Sequence, residues 1–189
     1  KLGKQIEMEC SGDEVEVDKS ILESLADPLT HIVRNCCDHG IEMPDVRVNA
    51  NKKPTGLVKV AARHEGGQII VSISDDVRGM NVDSIKAKAI ERSLKTAEEL
   101  RAMSPKQILG MVMLPGFSTA AAVSEISGRG VGMDVVKSSV EHLGGSVDIE
   151  SEQGRGSTIT LSLPLTLAIM PSLLVSSRGC RFAIPQANL

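Results

Sequence analysis

The 189-residue chain carries a formal net charge of −3, with 41% hydrophobic and 24% charged residues, the balance of one soluble globular domain and not of a nucleic-acid or membrane-surface binder. It has no Trp, no Tyr and only two Phe, Phe117 and Phe182, so the aromatic platforms that stack single-stranded nucleic acid are missing. The four cysteines (Cys10, Cys36, Cys37, Cys180) lack metal-ligand spacing, and no apolar run reaches the ~18 residues of a membrane span; a cytoplasmic, reduced protein with no direct membrane insertion is expected.

Residues 5–10 and 14–18 alternate around Ser11-Gly12-Asp13 and predict a hairpin. Ser20 with Glu23 has the pattern of a capping box. Asp27-Pro28 reads as the cap and first residue of the main helix, which Gly40 is placed to end in the left-handed conformation. Residues 41–55 read as loop. Strands are expected at 57–63 and 68–74, a helix at about 82–93, and short helices at about 96–101 and 105–112. The glycine-rich run Gly128-Arg129-Gly130-Val131-Gly132 opens a helix at about 131–143, which Gly144-Gly145 ends. Strands at 146–151 and 157–163 form a second hairpin, and the tail, 168–189, adds two more strands. The abrupt ends suggest a piece of a longer protein.

The chemistry concentrates first in the main helix. Asp27, His31, Arg34/Asn35 and Asp38 share one stripe, because residues three and four apart are neighbours. Leu25, Leu29, Ile32, Val33 and Cys36 form the stripe a core would cover. An imidazole, a guanidinium, a carboxamide and a carboxylate together suit holding a metal and an anion. Asn35 offers a hard oxygen of the kind Mg²⁺ takes alongside phosphates and water, and His31 one turn earlier could accept a proton or orient a nucleophile. Asp75, at the end of a β-branched strand, could accept a hydrogen bond from an exocyclic amine such as that of adenine, or serve as a turn former. Gly128-x-Gly130-x-Gly132 before a helix lets backbone amides approach a phosphate. It is neither the dinucleotide fingerprint nor a Walker loop.

The order of these features resembles the Bergerat ATP-binding fold of histidine kinases, gyrase, Hsp90 and MutL. The wording of four boxes narrows the resemblance to the CheA family of chemotaxis histidine kinases. They are His31-x-x-Arg34-Asn35-x-x-Asp38-His39-Gly-Ile-Glu, Gly116-Phe-Ser-Thr, Val123-Ser-Glu-Ile-Ser-Gly-Arg-Gly-Val-Gly-Met-Asp-Val-Val-Lys137, and Leu163-Pro-Leu-Thr-Leu-Ala-Ile169.

The resemblance implies an α/β fold (an α+β two-layer sandwich), with a mixed β-sheet, helices on one face and a flexible ATP lid at about 94–127 anchored by Phe117. It implies a kinase domain over 1–164 and the start of a CheW-like regulatory domain over 165–189. Asn35 would ligate Mg²⁺, and His31 would take the general-base or activating role with Arg34 beside it. Arg34, His39 and Lys88 would lie near the phosphates of ATP, and Asp38 would be a further ATP-binding residue. Asp75 would read the adenine amine, with Gly79 lining the base pocket and Thr158 near adenine. Ser118 and Thr119 of the lid would join Gly128, Gly130 and Gly132 in closing on the nucleotide. The γ-phosphoryl group would pass to a histidine on a separate substrate domain, none of the chain's own four histidines filling that role. The partners implied are that substrate domain, a CheW-like adaptor, chemoreceptors and, in the full-length protein, a second copy through dimerisation helices. No nucleic acid is among them.

One position departs from the family pattern. The box Asp-x-Gly-x-Gly reads Asp75-Asp76-Val77-Arg78-Gly79 here, and valine suits neither a positive φ nor a close backbone approach. Val77 is either tolerated in the β region, leaving a working kinase of weakened nucleotide affinity, or it partly blocks the pocket and leaves a signalling scaffold. The first is preferred.

Overall fold

The computed structural model describes residues 3–117, 132–165, 172–177 and 180–185. Strands Ile6–Ser11 (β1), Gly56–Glu65 (β2), Gln68–Asp75 (β3), Ser146–Glu152 (β4) and Gly156–Pro164 (β5) form one sheet in the order β1-β2-β3-β5-β4. β1 runs parallel to β2 and the other neighbours are antiparallel, so the sheet is mixed, as expected. The helices are Lys19–Asn35 (α1), Pro44–Asn49 (α2), Val82–Glu91 (α3), Ala97–Ala102 (α4), Pro105–Gly110 (α5) and Met133–His142 (α6). Ser172–Ser177 (β6) and Cys180–Pro185 (β7) pair as a separate two-stranded antiparallel sheet.

Register decides which side chains face the helices. Ile69, Val71, Ile73 and Asp75 of β3 lie opposite Leu163, Leu161, Ile159 and Ser157 of β5, and side chains alternate between faces. The apolar members of this row are buried, together with Val58 of β2 and Ile149 of β4. Ile21, Leu25 and Ile32 of α1, Ile85 and Ala89 of α3, and Val136 and Val140 of α6 cover them. Each such aliphatic side chain contributes about 1.5–3 kcal/mol by leaving water. The opposite face carries Ile70, Ser72, Ser74, Thr158, Thr160 and Ser162, and among the described residues the main apolar core lies on the helix-covered face.

The expected hairpin of 5–10 with 14–18 does not form. β1 finds its partner 50 positions away, Ile6 opposite Gly56. Residues 15–18 are not strand, and Val15 and Val17 instead pack against the core. The main helix does not begin at Pro28 but at Lys19, capped by Asp18, whose carboxylate accepts from the Ser20 amide at 2.8 Å. It continues through Pro28, which costs about 3 kcal/mol in a helix interior; burial of Ile21, Leu25, Pro28 and Ile32 along one face offsets this.

Gly40 does not end α1 in the left-handed conformation, since its φ is not positive. The helix instead widens into a π turn over Cys36–Gly40, closed by the Ile41 amide on the Cys36 carbonyl at 2.8 Å. Glycine serves here for closeness: a Cβ at position 40 would lie 3.0 Å from Cγ1 of Val77. Residues 41–55, read as loop, contain α2. In the predicted lid, α4, α5 and the 3₁₀ turn Met111–Met113 are packed helices with Leu100, Ile108, Leu109, Met111 and Met113 buried, and Phe117 is buried with them. The predicted lid beyond 117 lies outside the described residues.

Candidate functional site

The site is built where α1, the end of β3, the start of β5 and the start of α6 meet. Asp75 ends β3 on the helix-facing side, opposite Ser157. Its Oδ1 accepts from the Ser157 amide at 2.9 Å and from the Val77 amide at 3.4 Å. The Cys36 thiol of the π turn lies close enough to this carboxylate for the two groups to shift each other's protonation. Burial pushes the Asp75 carboxyl above the ordinary aspartate range, against the lowering effect of those three groups. Burial, and then the charge of Asp75, push the Cys36 thiol up as well, so it stays a donor. The result is a carboxylate on an apolar wall, oriented by fixed donors and suited to receive an amine.

Around it the chain comes close enough to require glycine. Gly156 has φ +133°, and a Cβ there would stand 2.0 Å from the Asp75 carbonyl oxygen. Gly79 has φ +69°, and a Cβ there would stand 2.2 Å from the Glu152 carbonyl oxygen. No other residue fits these two positions. The Ser151 hydroxyl joins the two turns: it accepts from the Met80 amide at 2.8 Å and lies 2.9 Å from the Ser157 hydroxyl.

Val77 is 4% exposed. Among the described non-glycine residues only Asn51 and Ser93 have positive φ, so valine at 77 is not in the left-handed region. Its side chain lies against Gly40 and its amide turns to Asp75.

The other end of the site sits one residue back along α1. Asn35 Nδ2 lies 2.9 Å from His31 Nε2 and 3.8 Å from the sulfur of Met133, the first residue of α6. An amide nitrogen only donates, so His31 Nε2 accepts and the proton sits on Nδ1. Both contacts use the amide nitrogen of Asn35, so its hard carboxamide oxygen is engaged by neither. That donor chemistry fits a magnesium ion sharing phosphate oxygens. Gly132 is the N-cap of the ten-residue helix α6 and provides no side-chain cap, and Met133, the first residue of that helix, meets Asn35, so the helix start, which favours anions, stands beside the carboxamide.

The remaining predicted residues are placed as follows. Arg34 is exposed in the last turn of α1. Asp38 is exposed in the π turn, its carbonyl accepting from Lys4 Nζ at 2.7 Å. Lys88 lies on α3, its ammonium lowered by burial and by Arg92. Thr158 pairs with Ser74 and projects from the sheet face opposite to Asp75; its neighbour Ser157 holds the position beside the carboxylate. Ser118, Thr119, Gly128 and Gly130 lie outside the described residues, as does the side chain of His39. Ser157 and Cys36 were missed as site residues. The alternation Ser157, Ile159, Leu161, Leu163 carries the signal for Ser157, whereas Cys36 reads as a core position and is one.

Among the described residues no helix is long and apolar enough to cross a membrane. The sequence is 47% identical over 189 residues to the Helicobacter pylori sensor histidine kinase CheAY, covering 100% of this chain and 24% of that protein. It is 46% identical over 185 residues to the Salmonella typhimurium chemotaxis protein CheA, covering 98% of this chain and 27% of that one. The chain thus spans about a quarter of the length of these relatives. In fold it is similar to a histidine kinase domain of the Erythrobacter litoralis blue-light-activated histidine kinase, at a TM-score of 0.50 and 16% identity over 85% of this chain and 55% of that one. The family model of the histidine kinase-, DNA gyrase B- and HSP90-like ATPases matches residues 24–167, and the chain belongs to that family.

Proposed function

We propose that this chain is the ATP-binding catalytic domain of a CheA-type histidine kinase of chemotaxis signalling, passing the γ-phosphoryl group of ATP to a histidine on a separate substrate domain. The observation that carries the reading is the carboxylate of Asp75, half-buried on the helix side, held by the Ser157 amide, and beside Cys36, the residue that follows Asn35 of the Asn35–His31 pair. Asp75 accepts from the adenine amine, with Gly79 lining the base pocket. Asn35 offers its oxygen to Mg²⁺, which when bound neutralises charge on the β- and γ-phosphates. The phosphates lie toward Gly132 and the start of α6, within reach of Arg34, His39 and Lys88, with Asp38 a further ATP-binding residue and Ser118, Thr119, Gly128 and Gly130 completing the closure.

The acceptor imidazole nitrogen attacks the γ-phosphorus, the bond to the β-γ bridging oxygen breaks, and ADP leaves. His31 takes the general-base or activating role toward the incoming histidine; as base, its Nε2 exchanges the Asn35 amide for the acceptor's N–H, and otherwise its Nδ1–H orients the acceptor. Val77, packed on Gly40 outside the left-handed region, supports a pocket that accommodates valine over a nucleotide-blocked scaffold. Residues 165–189 belong, on this reading, to a CheW-like regulatory domain that reaches an adaptor and chemoreceptors. The whole protein is a cytoplasmic dimer.

The test is to mix the chain with a CheA histidine-bearing domain and γ-labelled ATP. Acid-labile label on that domain, lost in Asn35→Ala, is expected. No transfer where a close relative reacts would overturn the kinase reading, and brisk hydrolysis without acceptor would point to a gyrase- or Hsp90-like ATPase.

A further inference from the structure

Behind the turn that carries Asp75, the side chains of Arg47 and Lys52 converge on its backbone, and Glu42 pairs with both. The Arg47 side chain is 0% exposed, with Nη2 2.7 Å from Asp76 Oδ2 and Nη1 3.0 Å from Glu42 Oε2. It also donates to the carbonyls of Lys53 at 2.8 Å, Thr55 at 3.3 Å and Asp76 at 3.4 Å. The Lys52 ammonium donates to Glu42 Oε1 at 3.1 Å, the Asp76 carbonyl at 2.9 Å and the Val77 carbonyl at 2.8 Å. That is one acceptor for each of its three protons. The remaining oxygen of Asp76 accepts from the Leu57 amide of β2 at 2.9 Å.

A buried ionic cluster is a poor way to gain stability, because desolvation offsets most of the attraction; its attested use is to impose one arrangement. The arrangement imposed here is that of the two peptides after Asp75. With the Asp76 and Val77 carbonyls pinned on the α2 side, the Val77 amide is directed to Asp75 Oδ1, and the Asp75 side chain emerges on the helix side of the sheet.

From this geometry we infer that Glu42, Arg47 and Lys52 are positioning residues for base recognition: they clamp the Asp75–Gly79 turn from behind and so set the affinity and preference for a base bearing an exocyclic amine. The clamp rests on the reading of Asp75 as the base-reading carboxylate. It touches no nucleotide itself and acts through the two carbonyls.

The experiment compares Mg-ATP and Mg-ITP binding, since inosine carries a carbonyl where adenosine carries the amine, with inorganic tripolyphosphate as the base-free control. Lys52→Gln is expected to weaken ATP about tenfold, the effect of losing charged hydrogen bonds, while ITP and tripolyphosphate change less than twofold; the ATP-over-ITP ratio collapses. A role in stability alone would lower the melting temperature and leave that ratio in place, and this result in the folded variant overturns the inference. Glu42→Gln keeps shape and volume and carries the same test if Lys52→Gln does not fold, with a smaller loss of the ratio expected and an unchanged ratio again contradicting the clamp. A wild-type protein that binds ATP and ITP equally well, or neither, would overturn the reading of Asp75 itself.

Discussion

The backbone amide of Ser157 donates to the carboxylate of Asp75 at 2.9 Å across 82 positions of sequence. This bond ties the two central strands together at the floor of the site. It makes β5, through the residue after Gly156, a determinant of how Asp75 is aimed. Ser157 lies on the helix side of the sheet with Asp75, and Thr158 lies on the other.

Ser157→Val and Thr158→Val should therefore differ. The first removes the hydroxyl paired with Ser151 at 2.9 Å and crowds the floor, and is expected to weaken ATP binding by about tenfold, roughly 1.4 kcal/mol. The second alters a side chain on the far face and should leave affinity within twofold. Parallel calorimetric titrations check this, and equal losses in both would contradict the register argument.

Asn35→Leu keeps the volume of the side chain and removes both its oxygen and its bond to His31 Nε2. The affinity for ATP without magnesium should change little, while the gain from adding magnesium is lost. Titrations with and without Mg²⁺ read this directly. A variant that still responds to magnesium would place the cation elsewhere.

Glu42 supplies a pH-dependent element. Burial raises its carboxyl, but its own backbone amide, Lys52 and Arg47 outweigh that and hold it below the usual glutamate range. A pKa lower in the folded than in the unfolded chain stabilises the fold above the unfolded value, and that stabilisation is lost as the pH falls through the folded one. Glu42→Gln should thus cost about 2 kcal/mol at pH 7. The gap to wild type should close on acidification below the ordinary glutamate range of about pH 4. Thermal melts across pH 3–7 test this; a gap that widens on acidification would reverse the sign.

Val77→Gly removes a buried side chain from against Gly40 and adds backbone freedom, costing about 2–3 kcal/mol. ATP binding should be retained at least as tightly as in wild type. Denaturant unfolding with a parallel titration separates the two effects. Binding that appears only in the glycine variant would mean that valine closes the pocket.

Much of this architecture was legible in the sequence because it rests on local periodicity. The 57–63 and 68–74 strands, the 146–163 hairpin and the helix after Gly132 follow from alternation and helical spacing. Asp75 stood out at the end of its strand. What escaped depends on partners far away in the chain. β1 pairs with β2 and not with its neighbour, because a parallel pairing leaves no turn signature. The helix runs through Pro28 because tertiary burial outweighs a local penalty. Ser157 was passed over for Thr158 by one residue, although the apolar alternation at 159, 161 and 163 assigns the faces. Glu42, Arg47 and Lys52 sit in a Pro- and Asn-bearing stretch where charges read as solvated. Only the fold reveals that Glu42 joins Arg47 and Lys52, and that these two reach the Asp76 and Val77 carbonyls.

The most direct measurement is a calorimetric titration of Mg-ATP into this chain beside Asp75→Asn, which keeps the shape of the carboxylate and removes its charge. Saturable binding at one site in wild type, weakened about tenfold to a hundredfold in the variant, is the predicted result. No binding by the wild-type chain, or equal binding by both, would contradict the assignment of Asp75 as the base-reading carboxylate.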